Sequence, residues 1–168
     1  MPDCSIRQAS HADAAALQPL IQRAYRGEAS RAGWTHEADL IKGERMALGE
    51  LEALIADPAE RILIAARGAR PIGCVRIAKA GDDLAYLGLL CVDPLLQAAG
   101  VGSALIAAGE AAARDIFGAA RIEMTVIDTR AALIAYYERR GYVPAGTRDF
   151  PIALDPPLNM IVLEKALA

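Results

Sequence analysis

Apolar residues recur along this chain with two periods, and the changes between them mark its elements. Ser5 to Ala9 reads as a short first strand, and Ser10 follows as a good N-cap residue. From Ala12 to Tyr25, the positions Leu17, Leu20, Ile21 and Ala24 share one helical face. RGEASRAGW (26–34) breaks that pattern with two glycines and polar residues, as a loop does. Thr35 then opens THEADL as a helix start, without the acidic or amide residue of a full capping box. A further helix, about Met46 to Ala56, turns Leu48, Leu51 and Ile55 inward, and Asp57-Pro58 ends it.

RILIAA (61–66), PIGCVRIAKA (71–80) and LAYLGLLCV (84–92) are consecutive strands joined by RGAR and Gly81-Asp82-Asp83, an antiparallel meander. A helix from Val101 to Phe117 follows, with Leu105, Ala108, Ala112 and Ile116 on its inward face. RIEMTV (121–126) is reached by a crossover, so it runs parallel to LAYLGLLCV. A helix from about Arg130 to Arg140 stops at Gly141. Tyr142–Gly146 and Met160–Lys165 close the sheet, with a Pro-rich loop (148–159) between them. The pattern predicts an α+β fold: a mixed, mostly antiparallel sheet of about seven strands with a central parallel pair, and helices on both faces. With no internal repeat or linker, residues 1–168 are expected to form a single domain.

Composition narrows the function. A net charge of −3 and a pI near 5.4 supply no basic field, so no nucleic-acid partner is expected. Cys4, Cys74 and Cys91 form no C-x-x-C, and His11 and His36 lack metal-site spacing, so no metal is expected. Cys74 and Cys91 sit in apolar strands, where a buried inert thiol is the ordinary role. The first residues carry no signal-peptide core and no run is long enough to span a membrane, so a cytoplasmic setting without membrane contact is expected.

The most informative stretch is VDPLLQAAGVGSAL (92–105), a Q-x-x-G-x-G turn between an apolar strand and an Ala-rich helix. At such a junction unpaired backbone N–H groups face outward at the positive end of a helix dipole, and small residues let phosphates approach. This would be an anion cradle made of main chain, with few charged side chains. The same turn also serves as a plain packing turn in many proteins. A dinucleotide fingerprint needs a small residue where Leu105 stands and an early βαβ unit; a P-loop needs a lysine that Gly102-Ser103 lacks. Gly88, inside LAYLGLLCV, marks either tight packing or a bulge. A bulge would splay this strand from RIEMTV and let a peptide-like ligand pair with the opened edge.

These segments, with AYYERRGY (135–142) as a closing helix, resemble the GNAT superfamily of acyl-CoA-dependent N-acyltransferases. The matching pieces are the strand LGLLCV, the turn in the family's Q/R-x-x-G-x-G/A form, and YYERRGY, in that order. The resemblance implies acetyl-CoA as co-substrate. Leu90, Cys91 and Val92 would offer main-chain groups to its pantetheine arm, and the amides of Gln97, Ala98, Ala99, Gly100, Val101 and Gly102, with Ser103, would hold the diphosphate. Tyr137, four residues before Gly141, matches the tyrosine that protonates the departing thiolate; Tyr136 is its neighbour. Two positions depart from the pattern: Ala98 stands where many members have glycine, and Arg130 where many have asparagine. Dimers are frequent in the family.

The reaction so implied is direct attack by a primary amine, of a small molecule or a peptide, on the thioester in a ternary complex. Glu123 on RIEMTV or Glu28 in the first loop is the candidate base; the alternative for each is a solvated carboxylate. Trp34 is either a cap over the core or a wall of the acceptor pocket. A different class, a catalytically idle acyl-CoA sensor, would need the cradle but not Tyr137.

Overall fold

The computed structural model describes residues 4–25, 46–151, 153 and 155–168, with the backbone alone for 97–99. In chain order it has β1 (Ser5–Gln8), α1 (Ala14–Tyr25), α2 (Leu48–Ala56), β2 (Glu60–Arg67), β3 (Arg70–Lys79), β4 (Leu84–Val92), α3 (Val101–Phe117), β5 (Arg121–Ile127), α4 (Ala131–Glu138), β6 (Val143–Asp149) and β7 (Asn159–Ala166), with short 3-10 segments at His11–Asp13 and Pro94–Ala99. The strands make one sheet in the order β1-β2-β3-β4-β5-β7-β6. Among the described residues only the β4–β5 pairing is parallel. This is the mixed α+β sheet that the periodicity predicts.

Strand alternation divides the core into two layers. Ile62, Ile64 and Ala66 of β2 pack with Leu17, Leu20, Ile21 and Ala24 of α1 and Leu51 of α2. Leu63 and Ala65 point the other way, into a layer with Leu105 and Ile106 of α3, Tyr137 of α4 and Tyr142. Helices therefore cover both faces, and the apolar stripe of each holds it there by the hydrophobic effect.

Three inward positions differ from the sequence reading. Leu48, at the first turn of α2, is 41% exposed and Ile55 only half-buried, so the nine-residue helix buries Leu51 alone. In α3 the stripe runs through Leu105, Ile106, Gly109, Ala112 and Ala113. It reaches Phe117 in the last turn, where Arg61 lies over the ring, and leaves Ile116 outside. On the helical wheel Ile116 falls between the directions of Leu105 and Gly109, so its exposure comes from its place at the end of the helix and not from its direction. At the start of α1, Asp13 Oδ2 accepts from the backbone N–H of Ser10 at 2.7 Å and from its hydroxyl at 3.1 Å. The cap at Ser10 is thus closed from the acidic side.

Candidate functional site

β4 and β5 pair only at Leu84↔Arg121, Ala85↔Ile122 and Tyr86↔Glu123, and then part. The cause lies on the opposite edge of β4. Cys74↔Cys91 and Arg76↔Gly88 are in register with β3, so Leu89 and Leu90 together face Val75, a bulge with one extra residue. The left-handed residue of the bulge is Leu89, at φ +52°, rather than Gly88. Gly88 has another duty: a Cβ there would stand 2.7 Å from Cε1 of Tyr86. The Tyr86 hydroxyl lies 2.8 Å from Thr125 Oγ1, tying the two strands together where they diverge. Beyond that point Leu87–Cys91 have no register partner in β5. The carbonyl of Leu90 is already engaged, since the Tyr25 hydroxyl at the end of α1 donates to it.

The chain leaves β4 through Asp93, a buried carboxylate. Its Oδ1 accepts from the N–H of Leu95 (3.2 Å) and its Oδ2 from Arg23 (3.1 Å) and Arg70 (3.3 Å), while its own N–H reaches the carbonyl of Ile72 (2.7 Å). Asp93 thereby caps the Pro94–Ala99 segment and binds it to α1 and to the β2–β3 turn. Gly100 follows in the left-handed region at φ +82°, which redirects the chain into α3. The first N–H groups of α3, at Val101, Gly102 and Ser103, have no acceptor within their own helix and carry the positive end of its dipole.

Tyr136 of α4 and Arg140, just past the end of that helix, stand over this turn. The Tyr136 hydroxyl is 3.3 Å from where a Gly102 Cβ would lie and 3.5 Å from Ser103 Oγ. Arg140 stacks on the Tyr136 ring, Cζ to centroid 3.5 Å, and donates to Ser103 Oγ at 2.6 Å and to the Tyr136 carbonyl at 3.0 Å. Arg140 thus places a charged side chain at this turn, one that the turn's own residues do not signal. Helical i, i+4 spacing of Tyr136 and Arg140 was the sequence signal that pairs them. Arg139 is exposed.

Tyr137 points into the core and is 4% exposed. Its ring packs edge-on against Tyr136 (5.4 Å) and Tyr142 (6.0 Å). Its hydroxyl has no hydrogen-bond partner among the described residues. Burial pushes this phenol well above its ordinary value, with Tyr136 and Tyr86 adding to the rise and Arg140 and Arg130 opposing it. It therefore keeps its proton throughout the neutral range.

Glu123 differs from the solvated carboxylate that strand alternation allowed. It is 7% exposed, and its Oε1 accepts from Arg148 of β6 at 2.8 Å. Arg148 reaches it across β7, which lies between β5 and β6 in the sheet, and nothing in the spacing of Glu123 signals it. Cys74 and Cys91 are buried, as expected of packing thiols, with their sulfurs 3.5 Å apart. Glu28 and Trp34 lie outside the described residues. Among the described residues, no group of three or more His, Cys, Asp or Glu is placed to hold a metal ion, and no helix is long and apolar enough to cross a membrane.

Residues 16–142 match the family model described as the acetyltransferase (GNAT) family. The chain belongs to that family. Its fold is shared with the ribosomal-protein-S18-alanine N-acetyltransferase from Escherichia coli, at 19% identity and TM-score 0.76 over 98% of this chain and 94% of that one. A spermidine N-acetyltransferase SpeG chimera from Vibrio cholerae and hSSAT gives 18% identity and TM-score 0.75 over 98% and 96%. The yncA structure from Salmonella typhimurium with its cofactor acetyl-CoA gives 16% and 0.74 over 99% and 95%. At such identities the likeness shows the fold alone. No curated protein matches the sequence.

Proposed function

We propose that the protein is an N-acetyltransferase that moves the acetyl group of acetyl-CoA to a primary amine by direct attack in a ternary complex. The observation that carries this reading is the parting of β4 from β5 after Tyr86, beside a turn of open amides at the start of α3. The site residues fit a long ligand with phosphates at one end. The amides of Gln97 through Gly102, with Ser103, would hold the diphosphate, and main-chain groups of Leu90, Cys91 and Val92, on the strand that parts from β5, would meet the pantetheine arm. Because Tyr25 takes the carbonyl of Leu90, that residue's contribution reduces to its N–H.

Acetyl-CoA supplies an activated thioester. The N–H near Leu90 faces the thioester oxygen as negative charge grows there, a contribution of about 3 kcal/mol for a positioned donor. Tyr137, buried, protonated and without a partner, gives its proton to the leaving sulfur. Glu123 takes the amine's proton through water, its anion held in place by Arg148. Glu28 and Trp34, outside the described residues, stay as sequence-based candidates for acceptor contact. The neighbours named above act on a protein alanine and on spermidine, which supports an amine acceptor of either size. An idle acyl-CoA sensor would have no use for an unpartnered phenol in the core, and Tyr137 favours the enzyme.

The test compares Tyr137→Phe with Tyr136→Phe using acetyl-CoA and a panel of amines. Tyr137→Phe is expected to lower kcat by about a hundredfold or more, with CoA affinity by calorimetry unchanged. Full kcat in that variant across pH would remove the role. Absence of any heat of binding between the wild-type protein and CoA or acetyl-CoA would overturn the whole reading.

A further inference from the structure

We infer that Arg140 is a specificity-determining cation of the cradle, which contacts a phosphate of the ligand and makes binding here depend on phosphate charge. This rests on the cradle being the CoA site. A purely main-chain cradle would bind phosphates with partial charges only. Arg140 adds a full, permanent one at its rim.

Four observations carry the assignment. The guanidinium is fixed by the Tyr136 ring beneath it at 3.5 Å and by bonds to the Tyr136 carbonyl and Ser103 Oγ. Those two bonds leave further N–H donors in its plane. No carboxylate pairs with Arg140 among the described residues, and the first turn of α3 contains no acidic side chain. Finally, its bond to Ser103 brings a cation to the positive end of α3, where a cation is electrostatically unfavourable. A phosphate oxygen would complement both the helix end and the guanidinium. Ser103 joins the two. With a lone pair occupied by Arg140, its hydroxyl proton has two directions to take, the Tyr136 hydroxyl 3.5 Å away or a phosphate oxygen of the ligand. Arg139, one residue earlier and exposed, has none of these bonds and serves as an internal control.

Titration calorimetry of the wild type, Arg140→Gln, Arg140→Lys and Arg139→Gln with CoA and with dephospho-CoA, each at low and moderate ionic strength, tests the inference. Arg140→Gln is expected to weaken CoA about tenfold and to flatten the loss of affinity with salt. Arg140→Lys should recover part of both, and Arg139→Gln should match the wild type. A loss confined to CoA assigns the contact to the 3′-phosphate, and an equal loss with dephospho-CoA assigns it to the diphosphate; both support the inference. Wild-type affinity and salt dependence in Arg140→Gln would overturn it, as would an equal loss in Arg139→Gln, which would mean a diffuse field. If Arg140→Gln fails to fold, Arg140→Lys decides: affinity between that of Arg139→Gln and a tenfold loss supports the inference, and unchanged affinity with both ligands opposes it. A wild type silent toward both ligands fails the underlying CoA reading, a distinct result.

Discussion

A methyl added at Gly88 meets Cε1 of Tyr86 at 2.7 Å, and that ring cannot swing away freely because its hydroxyl is tied to Thr125. Gly88→Ala is therefore expected to destabilise the fold by about 1–3 kcal/mol, read as a lower urea midpoint with an unchanged m-value. The glycine was visible in the sequence, but its reason was not. It is small for the sake of a neighbouring ring, while the unusual backbone angle falls on Leu89. Nothing about a leucine in an apolar strand announces a positive φ, because the bulge is imposed by pairing with β3 and not by local preference. The candidate site residues were legible as residue types, as with Tyr137 and Ser103. Their partners were not: Arg148 reaches Glu123, and Tyr25 reaches Leu90, through contacts that only the folded chain creates.

At the level of elements, helices and strands could be read off apolar spacing to within a few residues, because a half-buried stripe imposes its period on the sequence. The errors fall at helix ends, at Leu48 and Ile116, where a wheel assigns a direction but the neighbouring layer decides burial. The Pro94–Ala99 segment depends on one residue. Asp93→Asn keeps the shape of the cap but leaves Arg23 and Arg70 without their shared counter-charge. A loss of about 1–3 kcal/mol is expected, seen as a lower Tm, together with weaker CoA binding by calorimetry as the turn loosens. Wild-type affinity in a destabilised Asp93→Asn protein would separate the cap from the cradle. The sequence signal for this cap, Asp followed by Pro, was available in VDPLL.

For the whole molecule, strand count and the central parallel pair follow from the order of elements, whereas the exchange of β6 and β7 at the edge does not. Every position of β6 is exposed, so it has no buried face whose pattern could declare its place. Global stability should carry a marked alkaline limit. Burial, chiefly, holds the phenols of Tyr137 and Tyr142 above their ordinary value, and Glu110 adds to the rise at Tyr142 by its charge and by accepting that hydroxyl at 2.9 Å. Unfolded tyrosines ionise near pH 10. Above that pH the folded state therefore binds more protons than the unfolded state, and stability falls as pH rises. The slope is about 1.4 kcal/mol per pH unit for each of the two phenols. Urea midpoints measured from pH 9 to 11 should show this decline, and Tyr142→Phe should make it shallower.

The extra residue in β4 has one more effect. Ala85 and Leu87 belong to the α3 side, yet so do Leu90 and Val92, while Leu89 and Cys91 belong to the α1 side. The strand thus changes phase midway, and neighbours by simple alternation, Leu87 and Leu89, answer to different helices. Deleting a single residue here would restore a uniform rhythm and, in doing so, exchange the α1-facing and α3-facing side chains on one half of the strand.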